Sequence, residues 1–234
     1  MTVGSIGARI VQSRLLVDAA ASVSAKRKTI VFLGDYIDRG PESRLVVDLL
    51  CGALPTGFYA RFLKGNHEEM LLKFLEYPPV IEAWRINGGA ATLESYGVDV
   101  QGLRRNAAKP DVWQRSLLAV LPERHRRFFE DLELSASFGD YLFVHAGVRP
   151  GLPIDKQNPK DLLWIRKEFL YSKQSFGKVV VHGHTPTDAP ETRANRIGID
   201  TGAYVNNRLT ALRLQDGSRR FLTAEAGRTA LGCR

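Results

Sequence analysis

The sequence predicts an α/β fold in which two mixed β-sheets pack together and helices flank them. Short apolar runs that end near glycine are each followed by apolar residues at helical spacing, which is typical of a layered α/β core. A series of strand-like runs fills the second half of the chain and supplies the second sheet. At 234 residues with two cysteines, the chain can bury a sizeable core without disulfides. We therefore expect one domain over residues 1–234.

The first half of the chain alternates strands with helices. The continuous apolar run Thr29–Leu33 suits a buried strand and is followed by Gly34, and Phe58–Leu63 is a second strand-like run with Gly65 as its turn. Pro41 permits a helix to begin directly after it. The predicted elements are a reduced strand at 1–3, a helix at 10–24, a strand at 29–33, a helix at 42–50, a strand at 58–63 and a helix at 68–76.

The second half begins with a segment of different character. Residues 77–135 are rich in helix formers and are interrupted by glycine and proline, so we expect a helical excursion over one edge of the core. The Asp216-Gly217 pair then predicts a hairpin between the last two strands. Strands are predicted at 141–144, 179–181, 197–199, 209–214 and 220–222.

Composition and charge exclude some classes of protein. The formal net charge of +8 favours attraction of an anionic substrate but does not identify it. The basic run Arg124–Arg127 is interpreted as a solvated helix face, with His125 in solvent, and not as a nucleic-acid site. No apolar run is long enough for a signal sequence or a membrane span, so we expect a soluble cytoplasmic protein without a membrane partner.

Four short motifs carry the chemistry, and each follows a predicted strand. They bring together carboxylate, amide and imidazole groups, which form a ligand set for divalent metals. Because open sheets place their sites on loops at strand ends, we expect the motifs to converge and to hydrolyse a phosphate ester. Asp35 and Asp38 alone would be equally consistent with an ordinary turn. The motifs are Gly34–Gly40 (GDYIDRG), Gly65–Glu68 (GNHE), His145–Gly147 (HAG) and His182–Pro186 (HGHTP).

The order and spacing of these motifs resemble the bacterial and phage branch of the metal-dependent serine/threonine phosphoprotein phosphatases, within the calcineurin-like metallophosphoesterases. The resemblance runs from about Thr29 to the final hairpin and includes Trp84–Gly97, Leu162–Arg166 and Ile199–Ala203. It implies the calcineurin-like metallophosphoesterase fold. It also implies hydrolysis of phosphate monoesters, above all phosphoserine and phosphothreonine in a phosphorylated protein substrate.

The resemblance implies a metal centre with two divalent ions. Asp35 would bridge both ions, and Asn66, His145 and His184 would complete the shell of the second ion. Manganese is the expected metal, with iron or zinc as alternatives, because the ligands mix oxygen and imidazole nitrogen. Two such ions can share a hydroxide that attacks phosphorus directly and in line.

The same resemblance implies four further site residues. His67 would be the general acid, oriented by Asp38, because an alkoxide leaving group departs more easily when a protonated imidazole assists it. Arg39 and Arg166 would hold the phosphate, since planar guanidinium groups match phosphate oxygens. Within this enzyme class, hydrolysis of dinucleoside polyphosphates such as diadenosine tetraphosphate is the alternative activity.

The chain departs from the family pattern at the first motif. Ser5 and Gly7 stand where the family has the aspartate and histidine that hold the first metal, so we expect that site to be weak. Three explanations stay open. The protein is a slow phosphatase, a pseudo-phosphatase that binds phosphoprotein without turnover, or an intact enzyme whose first residues are misread. The physiological substrate and the oligomeric state are not predicted.

Overall fold

The structure is a computed structural model that describes residues 28–52 and 57–225, together with the backbone of Thr2 and Val3. The predictions for Ser5, Gly7 and the helix at 10–24 lie outside the described residues. The first motif is therefore not tested by the structure.

The described strands form two five-stranded sheets. The first sheet has the order β10-β9-β1-β2-β3, and the second has the order β4-β5-β6-β8-β7. The strands are β1 Thr2–Val3, β2 Lys28–Phe32, β3 Phe58–Phe62, β4 Ser135–Phe138, β5 Tyr141–Val144, β6 Val179–His182, β7 Glu191–Thr192, β8 Arg196–Gly198, β9 Arg208–Gln215 and β10 Ser218–Glu225.

Both sheets are mixed, which confirms the predicted architecture. In the first sheet, β1, β2 and β3 are parallel, whereas β9 and β10 are antiparallel to their neighbours. In the second sheet, β5, β6 and β8 are parallel, whereas β4 and β7 are antiparallel edge strands. The sequence did not predict β4 and β7. Antiparallel pairing recruits β4 (SASF) and the two-residue β7 to the sheet edges, although neither has a continuous apolar run.

Helices cover the outer faces of the sheets. Several short helices lie within residues 77–135, as predicted, and the turn Arg85–Gly89 is π-helical with Gly88 at φ 108°. The helices are α1 Ser43–Leu50, α2 Asn66–Glu76, α3 Ile81–Trp84, α4 Ala90–Ser95, α5 Val100–Arg105, α6 Pro110–Leu118, α7 Glu123–Glu130, α8 Pro159–Trp164, α9 Lys167–Leu170 and α10 Ala203–Asn206, with 3₁₀ turns at Pro78–Val80 and Ile154–Lys156. None of these helices is long and apolar enough to span a bilayer.

Three apolar clusters hold the layers together. One lies between the sheets and contains Leu33, Leu63 and Phe143. A larger cluster lies between the first sheet and the helices, and it includes Trp84 and Trp113. The third cluster covers the outer face of the second sheet. Because two layers of side chains anchor each sheet, the loops at the strand ends are held in fixed positions.

One expectation for the basic helix α7 is wrong. His125 is fully buried, with Nδ1 2.9 Å from the Tyr96 hydroxyl and Nε2 3.0 Å from Asp48 Oδ1. Arg126 and Arg127, by contrast, are exposed and pair with glutamates along the helix. The amphipathic pattern identified the helix but not its buried face, because the face depends on where α1 and α4 pack.

Candidate metal centre

The loop after β2 is shaped to bring Asp35 against the loop after β3. Gly34 and Asp35 both have positive φ, 95° and 56°. A Cβ at Gly34 would lie 2.5 Å from the nitrogen of Gly65, so the contact between the two loops requires glycine there. A Cβ at Gly65 would in turn lie 2.2 Å from Asp35 Oδ1. The first two motifs therefore meet through their glycines.

Glu68 ties these two loops together. Its fully buried carboxylate accepts hydrogen bonds from the backbone nitrogens of Asp35 at 2.9 Å, Tyr36 at 2.7 Å and Gly65 at 2.8 Å. Burial and the nearby charge of Asp35 raise the pKa of Glu68 to about 7. The sequence placed Glu68 only in the first turn of its helix. The position three residues after a helix-capping glycine was the available signal for this role.

His145, after β5, is the centre of a cluster of ligand atoms. Its Nδ1 lies 2.7 Å from the carbonyl oxygen of Leu33, which can only accept, so Nδ1 carries the proton. In the neutral imidazole, Nε2 therefore presents a lone pair. That Nε2 lies 3.0 Å from Asn66 Oδ1, 3.2 Å from His184 Nδ1 and 3.3 Å from Asp35 Oδ1.

These atoms fit a divalent metal ion. Four groups whose ligand atoms are natural electron-pair donors crowd one point, and Asp35, His145 and His184 have ligand atoms within 4.8 Å of one another. Burial and the neighbouring His145 lower the pKa of His184 to about 2, so its imidazole is neutral, as ligation requires. Burial opposes ionisation of Asp35, but the surrounding histidines His145, His67 and His184 outweigh it and lower the pKa of this carboxyl.

A second pair of side chains stands beside this cluster. His67 Nδ1 lies 2.6 Å from Asp38 Oδ2, and both residues are buried. Asp38 also accepts from Trp84 Nε1 at 2.9 Å and from Thr92 Oγ1 at 2.6 Å. Burial opposes protonation of His67, but Asp35 and Asp38 raise the pKa of its imidazole. The sequence did not predict the hydrogen bonds of Trp84 and Thr92, although both residues lie in the segment Trp84–Gly97 that contributes to the family resemblance.

Two arginines face the same opening. Arg39 is exposed at φ 64°, and its guanidinium carbon lies 4.5 Å from the centre of the Tyr204 ring. Arg166 is exposed on the loop between α8 and α9. The structure thus brings seven of the eight predicted site residues to one cavity, with His145 directly beneath it. The lining residues are Asp35, Ile37, Asp38, Arg39, Asn66, His67, Arg166, His184, Asp200 and Tyr204.

Comparison with solved structures agrees with this fold. The chain is similar to a crystal structure provisionally named a diadenosine tetraphosphatase, with a TM-score of 0.66, 21% identity and coverage of 97% of this chain and 93% of that one. A serine/threonine phosphatase from Saccharomyces cerevisiae has a TM-score of 0.55, 16% identity and coverage of 96% and 79%. At these identities the likeness concerns the fold alone.

Curated relatives and a family profile identify the family. A protein named bis(5'-nucleosyl)-tetraphosphatase PrpE from Bacillus subtilis is 28% identical over 213 residues, which cover 83% of this chain and 79% of the relative. A relative of the same name from Geobacillus thermodenitrificans is 25% identical over 214 residues, covering 84% and 79%. These names do not support the finer prediction of a serine/threonine protein phosphatase. The calcineurin-like phosphoesterase profile matches residues 12–215. The chain belongs to the calcineurin-like phosphoesterase family.

Proposed function

We propose that this protein is a metal-dependent hydrolase of dinucleoside tetraphosphates. The convergence of Asp35, Asn66, His145 and His184 on one point, beside the His67–Asp38 pair, is the observation that carries the hydrolase part. The tetraphosphatase names of the relatives support the substrate over a phosphoprotein.

The four-residue cluster would hold one divalent ion. Asp35 supplies an anionic oxygen, Asn66 an amide oxygen, and His145 and His184 supply imidazole nitrogens. Bound there, a divalent ion supplies Lewis acidity, neutralises phosphoryl charge and makes water more acidic. The cluster is held by backbone contacts such as His145 to Leu33, so the ligand atoms are in place before the ion arrives.

His67 would donate a proton to the leaving group. Asp38 holds its Nδ1, so the opposite nitrogen, Nε2, is the one available to substrate. Trp84 and Thr92 also donate hydrogen bonds to the carboxylate of Asp38 and hold it in position against His67. The proton is therefore held at a defined atom beside the cluster.

Arg39 and Arg166 would hold the phosphate chain. Both guanidinium groups lie in the wall of the cavity that contains Asp35 and His67. A tetraphosphate carries several negative charges, so two fixed forks would align it for attack at one phosphorus. The ring of Tyr204 against Arg39 restricts that side chain to one side of the cavity.

The test compares substrates under one set of conditions. The purified chain with Mn²⁺ is given diadenosine tetraphosphate, a phosphoserine peptide and a phosphothreonine peptide, and kcat/KM is measured for each. We expect diadenosine tetraphosphate to be the best substrate, and chromatography of the nucleotide products to show which P–O–P bridge is cleaved. A higher kcat/KM for the peptides would overturn the substrate proposal in favour of a phosphoprotein phosphatase. Phosphopeptide binding with no turnover of any substrate would overturn the hydrolase proposal.

A further inference from the structure

A second cavity, of about 440 Å³, lies beside the chain segment that carries His184. His182 and Thr185, which flank that residue in sequence, both line it. The rest of its wall comes from the end of α9 and from the β7–β8 hairpin. None of the eight predicted site residues lines this cavity, so it is separate from the opening of the metal centre.

The wall of this cavity contains a buried arginine whose donors are only partly used. Arg196 is 4% exposed, and its Nη2 lies 2.7 Å from Glu191 Oε2 and 3.1 Å from the carbonyl oxygen of Leu170. Its Nε is buried and has no hydrogen-bond partner among the described residues. Nε and Nη2 form one fork of a guanidinium, so one of the two donors of that fork is unused by the described residues.

A second polar atom in the same wall lacks a partner. The hydroxyl oxygen of Thr185 is buried and makes no hydrogen bond to any residue that the structure describes. Leaving a buried donor unpaired is energetically costly, so two such atoms in the wall of one cavity are unusual without a ligand. A ligand that offers oxygen atoms would satisfy both.

The charge and the shape of the cavity indicate which class of ligand it fits. Lys173, Arg193 and Arg196 provide three positive charges in the wall, against the single carboxylate of Glu191. The excess of two positive charges matches a dianionic phosphate monoester. The ring of Tyr171, 78% exposed at the same cavity, offers a flat apolar surface on which a base can stack. The volume lies within the usual range for small-molecule sites.

We propose that this cavity is a binding site for a nucleoside monophosphate. Its phosphate contacts Arg196, Thr185 and Lys173, and its base lies on Tyr171. The site lies close to the metal centre, since Arg196 Nη1 lies 3.4 Å from His182 Nε2 and His182 is two residues before His184. The proposal concerns binding and holds whichever substrate the metal centre hydrolyses.

The test isolates this cavity from the metal centre. In the full-length Arg39→Ala/Arg166→Ala variant with Mn²⁺, both guanidinium groups at the metal centre are gone, and calorimetry measures binding of adenosine monophosphate. We expect about one bound nucleotide per chain in this background. Adding Tyr171→Ala/Lys173→Ala, which changes two exposed side chains, is expected to weaken binding at least tenfold. Lys156→Ala, an exposed lysine elsewhere, is the matched control and is expected to change nothing.

Separate ligands distinguish which part of the nucleotide is recognised. We expect adenosine monophosphate to bind more tightly than ribose 5-phosphate or inorganic phosphate, and adenosine to bind weakest. Three results would overturn the proposal: no nucleotide binding in the double-arginine background, equal binding with and without Tyr171 and Lys173, or adenosine or inorganic phosphate binding as tightly as the monophosphate. Each of these is independent of hydrolysis, so the outcome is separable from that of the proposed activity.

Discussion

The candidate site has two halves, one around Asp38 and one around His145, and they differ in whether protein atoms satisfy their hydrogen-bonding groups. Around Asp38, donors and acceptors are matched, because His67, Trp84 and Thr92 each place a hydrogen on one of its two carboxylate oxygens. Around His145, by contrast, Nε2 faces the oxygens of Asn66 and Asp35, which carry no hydrogen. The first arrangement is complete with protein atoms alone, whereas the second would be completed by a cation.

This difference distinguishes residues whose effect does not need a metal ion from residues whose effect does. Residues around Asp38 are expected to act on proton delivery and stability whether or not metal is present. Residues around His145 are expected to act through the ion. Variants in the two halves should therefore give different patterns of loss.

The largest effect is expected in the His145 half. His145→Asn removes a ligand nitrogen, and since a metal supplies several kcal/mol of charge stabilisation, we expect kcat/KM to fall about 10³-fold or more. The rise in Tm that Mn²⁺ produces in the unaltered chain should disappear as well. Thermal unfolding with and without Mn²⁺ measures this. A variant that keeps the full metal-induced rise would show that His145 is not a ligand.

The next effect is expected in the Asp38 half. His67→Asn should lower kcat about 10²–10⁴-fold on a phosphoserine peptide, because an alkoxide needs a proton to depart. The loss should be smaller on diadenosine tetraphosphate, whose leaving phosphate is already stabilised as an anion.

The control for this prediction is the metal response. Because His67 lies in the hydrogen-bonded half, the rise in Tm with Mn²⁺ should persist in His67→Asn. Equal losses on both substrates would argue against proton donation by His67.

A third prediction concerns Glu68, which ties the loop after β2 to the loop after β3. Glu68→Gln places an amide against backbone N–H groups that now share a carboxylate, and we expect the free energy of unfolding to fall by about 1–3 kcal/mol. Glu76→Gln, exposed on the same helix, should change it by less than about 0.5 kcal/mol. Urea denaturation measures both. Equal effects at the two positions would contradict the role of Glu68.

The smallest expected effect lies away from the site and depends on pH. Burial lowers the pKa of His125 below its ordinary value of 6.5, although Asp48 of α1 opposes this shift. The unfolded chain therefore binds a proton first, so this stabilisation is complete above pH 6.5 and is lost as the pH falls toward the folded-state pKa. The other groups that face His125 are Tyr96, directly after α4, Arg44 of α1 and Arg124 of its own helix.

The measurement is the free energy of unfolding of the unaltered chain and of His125→Gln between pH 7.5 and pH 5. The unaltered chain should lose more stability than the variant over this range. Parallel curves for the two proteins would contradict a neutral, buried His125.

The sequence was sufficient to predict most of the fold and the membership of the site. Asp35, Asn66, His145 and His184 could be found because each directly follows an apolar strand, and strand ends at one edge of a sheet are close in space. Their roles as ligands remain predictions that the experiments above would test.

The sequence was insufficient for residues whose neighbours are distant in the chain. Thr92 contacts Asp38 across 54 positions, and Glu68 reaches Tyr36 across 32. Each looks like an ordinary helix residue by local pattern. His125 was misplaced for the same reason, since its burial depends on helices that are remote in sequence.

The chemical groups that stand at the strand ends could be inferred from the sequence alone, because side-chain type and strand pattern are local properties. Which atoms of those groups face one another depends on how the chain packs in three dimensions. His145 donates to the carbonyl of Leu33 across 112 positions, and this contact between the two sheets selects the nitrogen that turns toward Asp35. The packing of the two sheets, a long-range property, therefore sets the relative positions of the ligand atoms in the site.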